Sequence, residues 1–185
     1  MATSLRERNR LAAMDSVRRT AVELMETHGF DSVTVEQIAS KANVSPSTVY
    51  RYFGTKEALV LSTQRPAQFV ERLAVDAHDL SWVDATCRAA VKVWGGDDSV
   101  GAELRLAVAN EALLRAWEGQ LLDQRDAIAE ALAAGRGKKP GAKDAARAAC
   151  VVATLRTALL RWHRDGGAKP LRQALDKTFT AIRTD

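Results

Sequence analysis

The sequence predicts an all-α fold, and three observations support this prediction. The chain is rich in alanine, and only four of its 185 residues are prolines. No segment alternates apolar and polar residues over the length of a β-strand. Apolar residues recur instead at helical spacing through most of the chain. The length suffices for one or two domains with a buried core. We predict nine helices, arranged as a domain of residues 1–55 and a domain of residues 56–185.

The first helix is predicted to run from about Leu5 to His28. Its apolar residues form one stripe, which comprises Leu11, Met14, Val17, Ala21 and Leu24. Gly29 is expected to end the helix, because glycine adopts the left-handed conformation of a C-terminal cap without strain. Phe30 is then placed to fill the core of the first domain.

Residues 1–19 are basic, since five arginines and two acidic residues give them a net charge of +3. The whole chain carries +4, so most of its excess charge is concentrated near the N-terminus. Basic N-terminal arms often contact the nucleic-acid backbone or a minor groove. For residues 1–8, a solvated tail without such a contact is the alternative interpretation.

Two short helices joined by a tight turn are predicted next. Thr34 and Gln37 form a capping-box pattern at the start of the first, with Val33 in position for a hydrophobic staple. Its apolar residues recur at i, i+3, i+4 and i+7 and comprise Val35, Ile38, Ala39 and Ala42. Asn43 tolerates the left-handed backbone that a sharp exit requires. Two capped helices this close together are typical of a helix-turn-helix.

The second short helix carries side chains that suit nucleic-acid binding. Ser45 is its predicted N-cap, Pro46 occupies the first helical position and Gly54 ends it. Val49 and Phe53 are spaced to anchor it in the core. The side chains left on or near the outside are Ser47, Thr48, Tyr50, Arg51 and Tyr52. Hydroxyl and guanidinium groups suit phosphate oxygens and base edges in a major groove. The alternative is a solvated helical hairpin in an ordinary all-α domain.

This part of the chain resembles the N-terminal domain of the tetracycline-repressor (TetR) family of bacterial transcription factors. The resemblance is carried by residues 24–59, LMETHGFDSVTVEQIASKANVSPSTVYRYFGTKEAL. Its features are the Gly-Phe pair after helix 1, T-V-x-x-I-A in helix 2, V-S-x-x-T-V-Y-x-Y-F in the recognition helix and K-E-x-L in helix 4. Together these motifs are highly specific, although they lie in about the first third of the chain. The remainder resembles the family in the number and length of its helices.

The resemblance implies a three-helix helix-turn-helix DNA-binding domain in residues 1–55 and a helical effector-binding and dimerisation domain in residues 56–185. At matching positions it implies contacts with base edges by Ser45, Ser47, Thr48 and Arg51. It implies contacts with phosphates by Thr34, Tyr50, Tyr52 and Lys56. The implied function is transcription regulation in the cytoplasm. The expected protein is a homodimeric repressor that binds a near-palindromic double-stranded DNA operator and is released by a small-molecule effector.

Helix 4 is predicted to start at Lys56 and to be interrupted near Pro66. Proline lacks a backbone N–H and clashes with the preceding turn, so we expect a kink or a break near Gln64 and Arg65. In the TetR family the connecting helix transmits ligand binding to the DNA-binding domain. A proline interruption without a regulatory role is the alternative.

Three further helices are predicted between residues 81 and 134. The fifth is capped by Ser81 and buries Val83, Cys87, Ala90, Val91 and Trp94. In the sixth, over about residues 98–109, the side chains predicted to face inward are Val100, Leu104 and Val108. The seventh, over about residues 111–134, buries Leu114, Trp117, Leu121, Ile128 and Leu132. Residues 135–142 are rich in glycine and lysine and are predicted to form a loop.

Helix 8, over about residues 143–165, has a heptad pattern of apolar residues, which comprises Ala148, Val152, Leu155, Leu159 and Trp162. Helix 9 follows Pro170 and carries Leu171, Leu175, Phe179 and Ile182. Two such helices can pack against their symmetry mates as a four-helix bundle. The predicted dimer-interface residues are Val152, Leu155, Leu159, Trp162, Leu175 and Phe179. The alternative is that both apolar seams face only the internal core, and the TetR resemblance favours the dimer.

An effector pocket is implied by the resemblance, among helices 4 to 8. The candidates for its lining are Phe69, Trp82, Cys87, Trp94, Trp117 and Trp162. Few charged residues interrupt the inward stripes, so we expect a mostly apolar small molecule. Each tryptophan can equally be core filler. A DNA-binding protein of the same fold that acts architecturally or through a protein partner, without a ligand, is therefore the alternative function. A cavity among these helices favours the first function, and a filled core favours the second.

No pattern of catalytic residues is present, so we predict a protein that is not an enzyme and needs no cofactor or metal. His28, His78 and His163 lack metal-ligand spacing, and no Cys-x-x-Cys occurs. Cys87 and Cys150 lie in apolar helical patterns and are predicted to be buried, reduced thiols. No apolar run approaches the length of a membrane span, and we expect no membrane partner.

Overall fold

The computed structural model describes residues 5–62, 64–95 and 99–183. These residues form eleven α-helices and no strand, which confirms the all-α prediction. The helices are α1 (Leu5–His28), α2 (Val35–Lys41), α3 (Pro46–Phe53), α4 (Glu57–Val60), α5 (Gln64–Asp76), α6 (Trp82–Trp94), α7 (Ser99–Ala109), α8 (Glu111–Asp123), α9 (Arg125–Ala134), α10 (Ala142–Arg164) and α11 (Leu171–Ala181). The count exceeds the predicted nine because two of the predicted helices are each divided in two.

The predicted caps set the ends of α1, α2 and α3. Gly29 follows α1 with φ of 84°, and Asn43 takes a left-handed φ of 56° in the turn between α2 and α3. Thr34 and Gln37 form the capping box of α2, with Thr34 N donating to Gln37 Oε1 at 2.8 Å. Gly54 ends α3 with φ of 72°. These local signals set the helix ends, and α3 packs against α2. The part of the N-terminal arm in residues 1–4 lies outside the described residues.

The expected interruption near Pro66 is a complete break. The chain leaves the helix at Leu61, which has extended backbone, and α5 begins again at Gln64. Pro66 therefore occupies the first turn of α5, where its missing N–H would have no intrahelical partner in any case. Ser62 Oγ accepts a hydrogen bond from Arg65 N at 3.3 Å across the break. The break starts three residues upstream of the predicted position.

The predicted seventh helix is also divided, at Gln124, where the sequence contains neither proline nor glycine. Gln124 has φ of −82° and ψ of −7° and separates α8 from α9. On one side of the break α8 packs mainly against α7, and on the other side α9 packs against α5 and α10. We infer that this packing, rather than a local sequence signal, turns the chain here.

The core is continuous from the first helices to the last. In the C-terminal part, α5 packs against α6 and α9, while α11 packs against α6 and α10. Phe69 of α5 and Trp94 of α6 meet inside with their ring centroids 5.3 Å apart. Helix α1 contacts α2 and α4 on one side and α7 on another, so it joins the two ends of the chain. The division into residues 1–55 and 56–185 remains a prediction.

Two predicted burials are wrong for the single chain. Val108 was expected to face inward, but it is 44 % exposed on α7. The inward face of that helix is formed by other residues, among them Val100, Leu104 and Ala107. Cys150 is exposed on α10, and Cys87 is only partly buried. Within the described chain, no helix combines the length and the apolar character required to cross a bilayer.

The apolar seam of α10 needs a larger correction. Five of the six residues predicted to form the dimer interface are buried within one chain, namely Val152, Leu155, Leu159, Leu175 and Phe179. Trp162, the sixth, is partly buried, and its indole Nε1 donates to Lys169 O at 2.7 Å. The reason is that α9 and α11 cover this side of α10. A side chain that its own chain already covers is not available to a second copy, so the seam fits the alternative of an internal core.

The burial of Leu159 predicts the effect of Leu159→Glu. Leu159 is 1 % exposed, so a glutamate there would bury an unpaired carboxylate in the core of one chain. The cost is several kcal/mol, against a typical total stability of about 5–15 kcal/mol. We expect the variant to lose its cooperative thermal transition, measured by far-ultraviolet circular dichroism. Ala153→Glu, at an exposed position on the same helix, should keep it. A folded Leu159→Glu chain would contradict the burial.

Candidate nucleic-acid interface

The N-terminus of α3 gathers three hydroxyl groups. Ser45 Oγ accepts a hydrogen bond from Thr48 N at 3.2 Å, and this caps the helix. The same oxygen lies 2.8 Å from Thr48 Oγ1 and 3.0 Å from Ser47 Oγ. Ser45 and Ser47 are exposed, and Thr48 is partly buried. The first turn of α3 therefore presents an ordered set of small donors and acceptors at the positive end of its helix dipole.

The apolar anchors of α3 determine which side of it faces outward. Val49 is buried and Phe53 packs against the core, as their spacing predicts. Tyr50 is half exposed and Arg51 is exposed. The outward side of α3 therefore combines hydroxyl, phenol and guanidinium groups. These groups donate to phosphate oxygens and pair with base edges.

Tyr52 is held between two arginines, an arrangement that sequence reasoning missed. The guanidinium carbon of Arg51 lies 4.7 Å from the centroid of the Tyr52 ring, and that of Arg10 lies 5.8 Å from it. Arg51 Nη2 also donates to the Tyr52 hydroxyl at 3.3 Å. Arg10 brings the basic N-terminal part of α1 beside α3. Because Arg51 is turned toward Tyr52, a contact of Arg51 with a base requires its side chain to leave this position.

Two predicted phosphate-binding residues also have roles in the fold. The Thr34 hydroxyl accepts from Gln37 N at 3.2 Å and caps α2. Lys56 Nζ lies 4.4 Å from the centroid of the Phe30 ring and donates to Asp31 O at 3.5 Å. Thr34 and Lys56 thus lie at the N-terminal ends of α2 and α4, while the other six predicted residues lie at the N-cap of α3 and along it. Helix N-termini favour phosphate oxygens through their free N–H groups.

Polar contacts hold these helices against the C-terminal part of the chain, and no sequence pattern indicates them. Arg18 Nη2 donates to Ala58 O at 3.2 Å, which ties α1 to α4. Arg105 of α7 makes two hydrogen bonds to Glu26 of α1, at 2.6 and 2.8 Å. Asn110 Nδ2 donates to Asp31 Oδ2 at 2.8 Å. The orientation of α1 and of the loop after it is therefore coupled to α7.

The six candidates for an effector pocket do not surround one open space in this structure. Phe69, Trp94 and Trp117 are buried, and Trp82 and Cys87 are partly buried. Trp82 borders a cavity of 240 Å³ near α9, and the sixth candidate, Trp162, borders a groove of 540 Å³ between α10 and α11. Three further cavities in the described part of the chain, of 360 to 540 Å³, lie beside α1 and have none of the six in their walls. The aromatic core is thus closely packed around Phe69 and Trp94.

Cys87 is an unreactive thiol. Its Sγ donates to Asp176 Oδ1 at 3.3 Å. Burial, together with this hydrogen bond, raises the pKa of Cys87 to about 12, so the thiol is protonated near neutral pH. Among the described residues, no group of three or more histidine, cysteine, aspartate and glutamate side chains is arranged to hold a metal ion.

Comparison with known proteins gives a family match at the helix-turn-helix. The family model described as "Bacterial regulatory proteins, tetR family" matches residues 17–63. The HTH-type transcriptional regulator TcmR of Streptomyces glaucescens is 40 % identical over 58 residues, which are 31 % of this chain and 26 % of that protein. Across three such relatives, the matching segment spans about a quarter to a third of their length.

Solved structures are similar over almost the whole chain. NalD of Pseudomonas aeruginosa, the secondary repressor of the MexAB-OprM multidrug efflux pump, gives a TM-score of 0.64 at 18 % identity and covers 96 % of both chains. The transcriptional regulator FadR of Bacillus subtilis, in complex with stearoyl-CoA, gives 0.61 at 19 % identity. That match covers 89 % of this chain and 95 % of FadR. At these identities the likeness establishes a shared fold.

Proposed function

We propose that this chain is a DNA-binding transcriptional regulator of the TetR family, whose family model matches residues 17–63. It acts as a repressor that binds a near-palindromic operator as a homodimer. The observation that carries this proposal is the helix-turn-helix of α2 and α3, which combines the family's motif with an outward face of hydroxyl and guanidinium groups. Such a regulator works on the chromosome, in the bacterial cytoplasm.

We propose that the interface residues divide into base-contacting and phosphate-contacting groups, as the resemblance to the TetR family implies at matching positions. Ser45, Ser47, Thr48 and Arg51 contact base edges in the major groove. Thr34, Tyr50, Tyr52 and Lys56 contact phosphates. The cluster of three hydroxyls at the start of α3 supports the first assignment, because small donors and acceptors can approach base edges closely. The second is supported by the two helix N-termini and by the arginines that hold the Tyr52 ring.

A homodimer is part of the proposal because one recognition helix contacts only a few base pairs, too few for a useful specificity ratio. With its apolar seam buried, α10 offers a second chain its opposite face. Small side chains and one leucine form this face: Ala146, Ala149, Cys150, Ala153, Thr157 and Leu160. Small residues let two helices approach closely, so that their apolar atoms are removed from water together.

A mostly apolar small-molecule effector is the further part of the proposal. Its support is a shared fold with regulators such as the Bacillus subtilis FadR, whose structure contains stearoyl-CoA. An effector among the aromatic residues of α5, α6 and α8 would have to displace packed side chains, because Phe69, Trp94 and Trp117 are each at most 4 % exposed. The same close packing is the observation that favours the alternative, a DNA-binding protein without a ligand in this core.

The DNA-binding proposal is tested by selecting DNA fragments with the purified chain from a random library. We expect enrichment of a near-palindromic sequence, as a two-fold dimer requires. The centres of its half-sites should lie about 34–36 Å apart along the DNA axis, or somewhat more. Electrophoretic mobility shifts on the selected fragment and on a scrambled one provide the control. Equal affinity for both fragments would overturn the proposal.

Substitutions in α3 should separate affinity from specificity. Tyr52→Phe removes one phosphate hydrogen bond, so affinity should fall by on the order of 1 kcal/mol on every sequence alike. Thr48→Ala removes a base-edge contact, so it should change which bases are preferred at one position of each half-site. Fluorescence anisotropy on a panel of single-base operator variants measures both. A changed preference in Tyr52→Phe, with none in Thr48→Ala, would reverse the assignment.

The exposed face of α10 is tested by Ala153→Glu. Two glutamates brought together at a two-fold interface repel each other and lose solvation, so we expect a folded monomer that binds the selected operator only weakly. Sedimentation velocity gives the oligomeric state, and circular dichroism gives the helix content. Ala112→Glu, at an exposed position on α8, is the matched control and should remain dimeric. An Ala153→Glu dimer with full operator affinity would place the interface elsewhere.

A further inference from the structure

A cavity of 240 Å³ is lined by the turn between α5 and α6, the end of α9, the loop after it and α10. Its apolar lining includes Leu80, Leu132 and the partly buried Trp82, and Arg136 and Arg147 contribute guanidinium groups. None of its lining residues belongs to α1–α4, so the cavity is separate from the proposed nucleic-acid interface. An apolar wall beside cationic groups suits a small molecule that has an apolar part and a negative charge.

The two arginines at this cavity share one carboxylate. Arg136 Nη2 donates to Asp144 Oδ1 at 2.5 Å. Arg147 Nη1 lies 3.7 Å from the same oxygen, which is an ion-pair distance but is too long for a hydrogen bond. A hydrogen bond from Gly141 N, together with Arg136, keeps the pKa of Asp144 below its ordinary value, so this carboxylate is charged at neutral pH. One negative charge is therefore shared by two positive charges.

Arg147 lies beside the cavity with N–H donors available. Its guanidinium carbon lies 5.8 Å from the centroid of the Trp82 ring, and its side chain is 21 % exposed. In the described part of the chain, this guanidinium makes the ion pair with Asp144 and the contact with Trp82, and neither is a hydrogen bond. Asp84, the acidic residue nearest to Trp82 in the sequence, is paired with Arg183 at 2.5 Å and does not line the cavity. An anion that enters the cavity can therefore accept hydrogen bonds from Arg147.

The chain around the cavity adds further positive charge. Residues 136–147 contain five basic residues and one acidic residue, which give this segment a net charge of +4. Lys138, Lys139 and Lys143 are exposed on it. Clustered positive charge raises the local concentration of anions, and it attracts an anion of charge −2 more strongly than one of charge −1.

We propose that this cavity binds a small phosphate monoester, whose phosphate group accepts hydrogen bonds from Arg136 and Arg147. The apolar part of the ester lies against Trp82 and the two leucines of the lining. Guanidinium groups bind phosphate oxygens through strong, often bidentate hydrogen bonds. Because the volume is below the range of about 300–1,000 Å³ that is typical of ligand pockets, the ester must be compact.

Two features favour a phosphate over a carboxylate. The guanidinium groups come from different segments, one from the loop after α9 and one from α10, so the anion must offer acceptors in more than one direction. A phosphate monoester has three terminal oxygens and carries a charge of about −1.5 to −2 at pH 7. A carboxylate has two oxygens and one charge. The excess positive charge around the cavity therefore matches the phosphate better.

Binding is tested on the full chain without DNA, by isothermal titration in a phosphate-free buffer at matched ionic strength. The probes are phenyl phosphate, benzoate and benzyl alcohol, which share an aromatic ring and differ in the group that it carries. We expect phenyl phosphate to bind saturably, benzoate to bind more weakly and benzyl alcohol not to bind. Absence of saturable phenyl phosphate binding would overturn the proposal, and so would benzoate or benzyl alcohol binding as tightly as phenyl phosphate.

Variants locate the site. Arg147→Gln should weaken phenyl phosphate binding about tenfold or more, as the loss of a charge-assisted hydrogen bond predicts. Arg136→Gln should weaken it as well, and because Arg136 is exposed, this variant keeps the test valid if Arg147→Gln does not fold. Arg164→Gln, at the other end of α10 and also exposed, is the matched control and should bind phenyl phosphate like the parent. Circular dichroism checks the fold of each variant. Unchanged binding in a folded Arg147→Gln or Arg136→Gln would overturn the proposal.

Phosphate binding at this cavity and operator binding at α3 are measured independently. Phenyl phosphate is titrated without DNA, and operator selection needs no phenyl phosphate. A chain that selects no operator can still bind phenyl phosphate through Arg136 and Arg147. Failure of phenyl phosphate binding likewise leaves the DNA-binding proposal unchanged.

Discussion

The buried ion pair of Arg65 and Glu103 joins the start of α5, just after the break that follows α4, to α7. Each charge has little access to water, so each depends on the other, and removing one partner of such a pair typically costs about 3–5 kcal/mol. The pair joins two residues 38 positions apart, and the Ser62 N–H and the Ser99 hydroxyl complete it. Ser62, within this break, and Arg65, just after it, are therefore both hydrogen-bonded to Glu103 of α7.

Polar contacts also join α7 and the residue after it both to the start of α5 and to α1 with the loop that follows it. Near its start, Glu103 fixes the beginning of α5. Nearer its end, Arg105 is paired with Glu26 of α1, and Asn110, just beyond the helix, is hydrogen-bonded to Asp31. Packed interfaces of this kind change between discrete arrangements rather than deforming smoothly. Because α1 packs against α2, and α2 packs against α3, a shift of α7 relative to α1 would also shift α3.

The two faces of α10 differ in whether the rest of the chain covers them. The apolar seam is covered by α9 and α11, so it stabilises the single chain. The opposite face carries small side chains and Cys150, and these residues are exposed in the single chain. A charge on the seam is therefore expected to affect the stability of the single chain, whereas a charge on the outer face would affect the proposed dimerisation.

The sequence alone determined the local features: the limits of α1, the capping box of Thr34, the left-handed turn at Asn43 and the end of α3 at Gly54. Each depends on residues within about four positions, so a pattern suffices to predict it. The tertiary structure decided the rest. Periodicity identified the seam of α10 but not what covers it. No sequence pattern predicted the break at Gln124 or the pairing of Arg65 with Glu103, because these depend on which helices meet in space. The side-chain position of Arg51 against Tyr52 was likewise visible only in the structure.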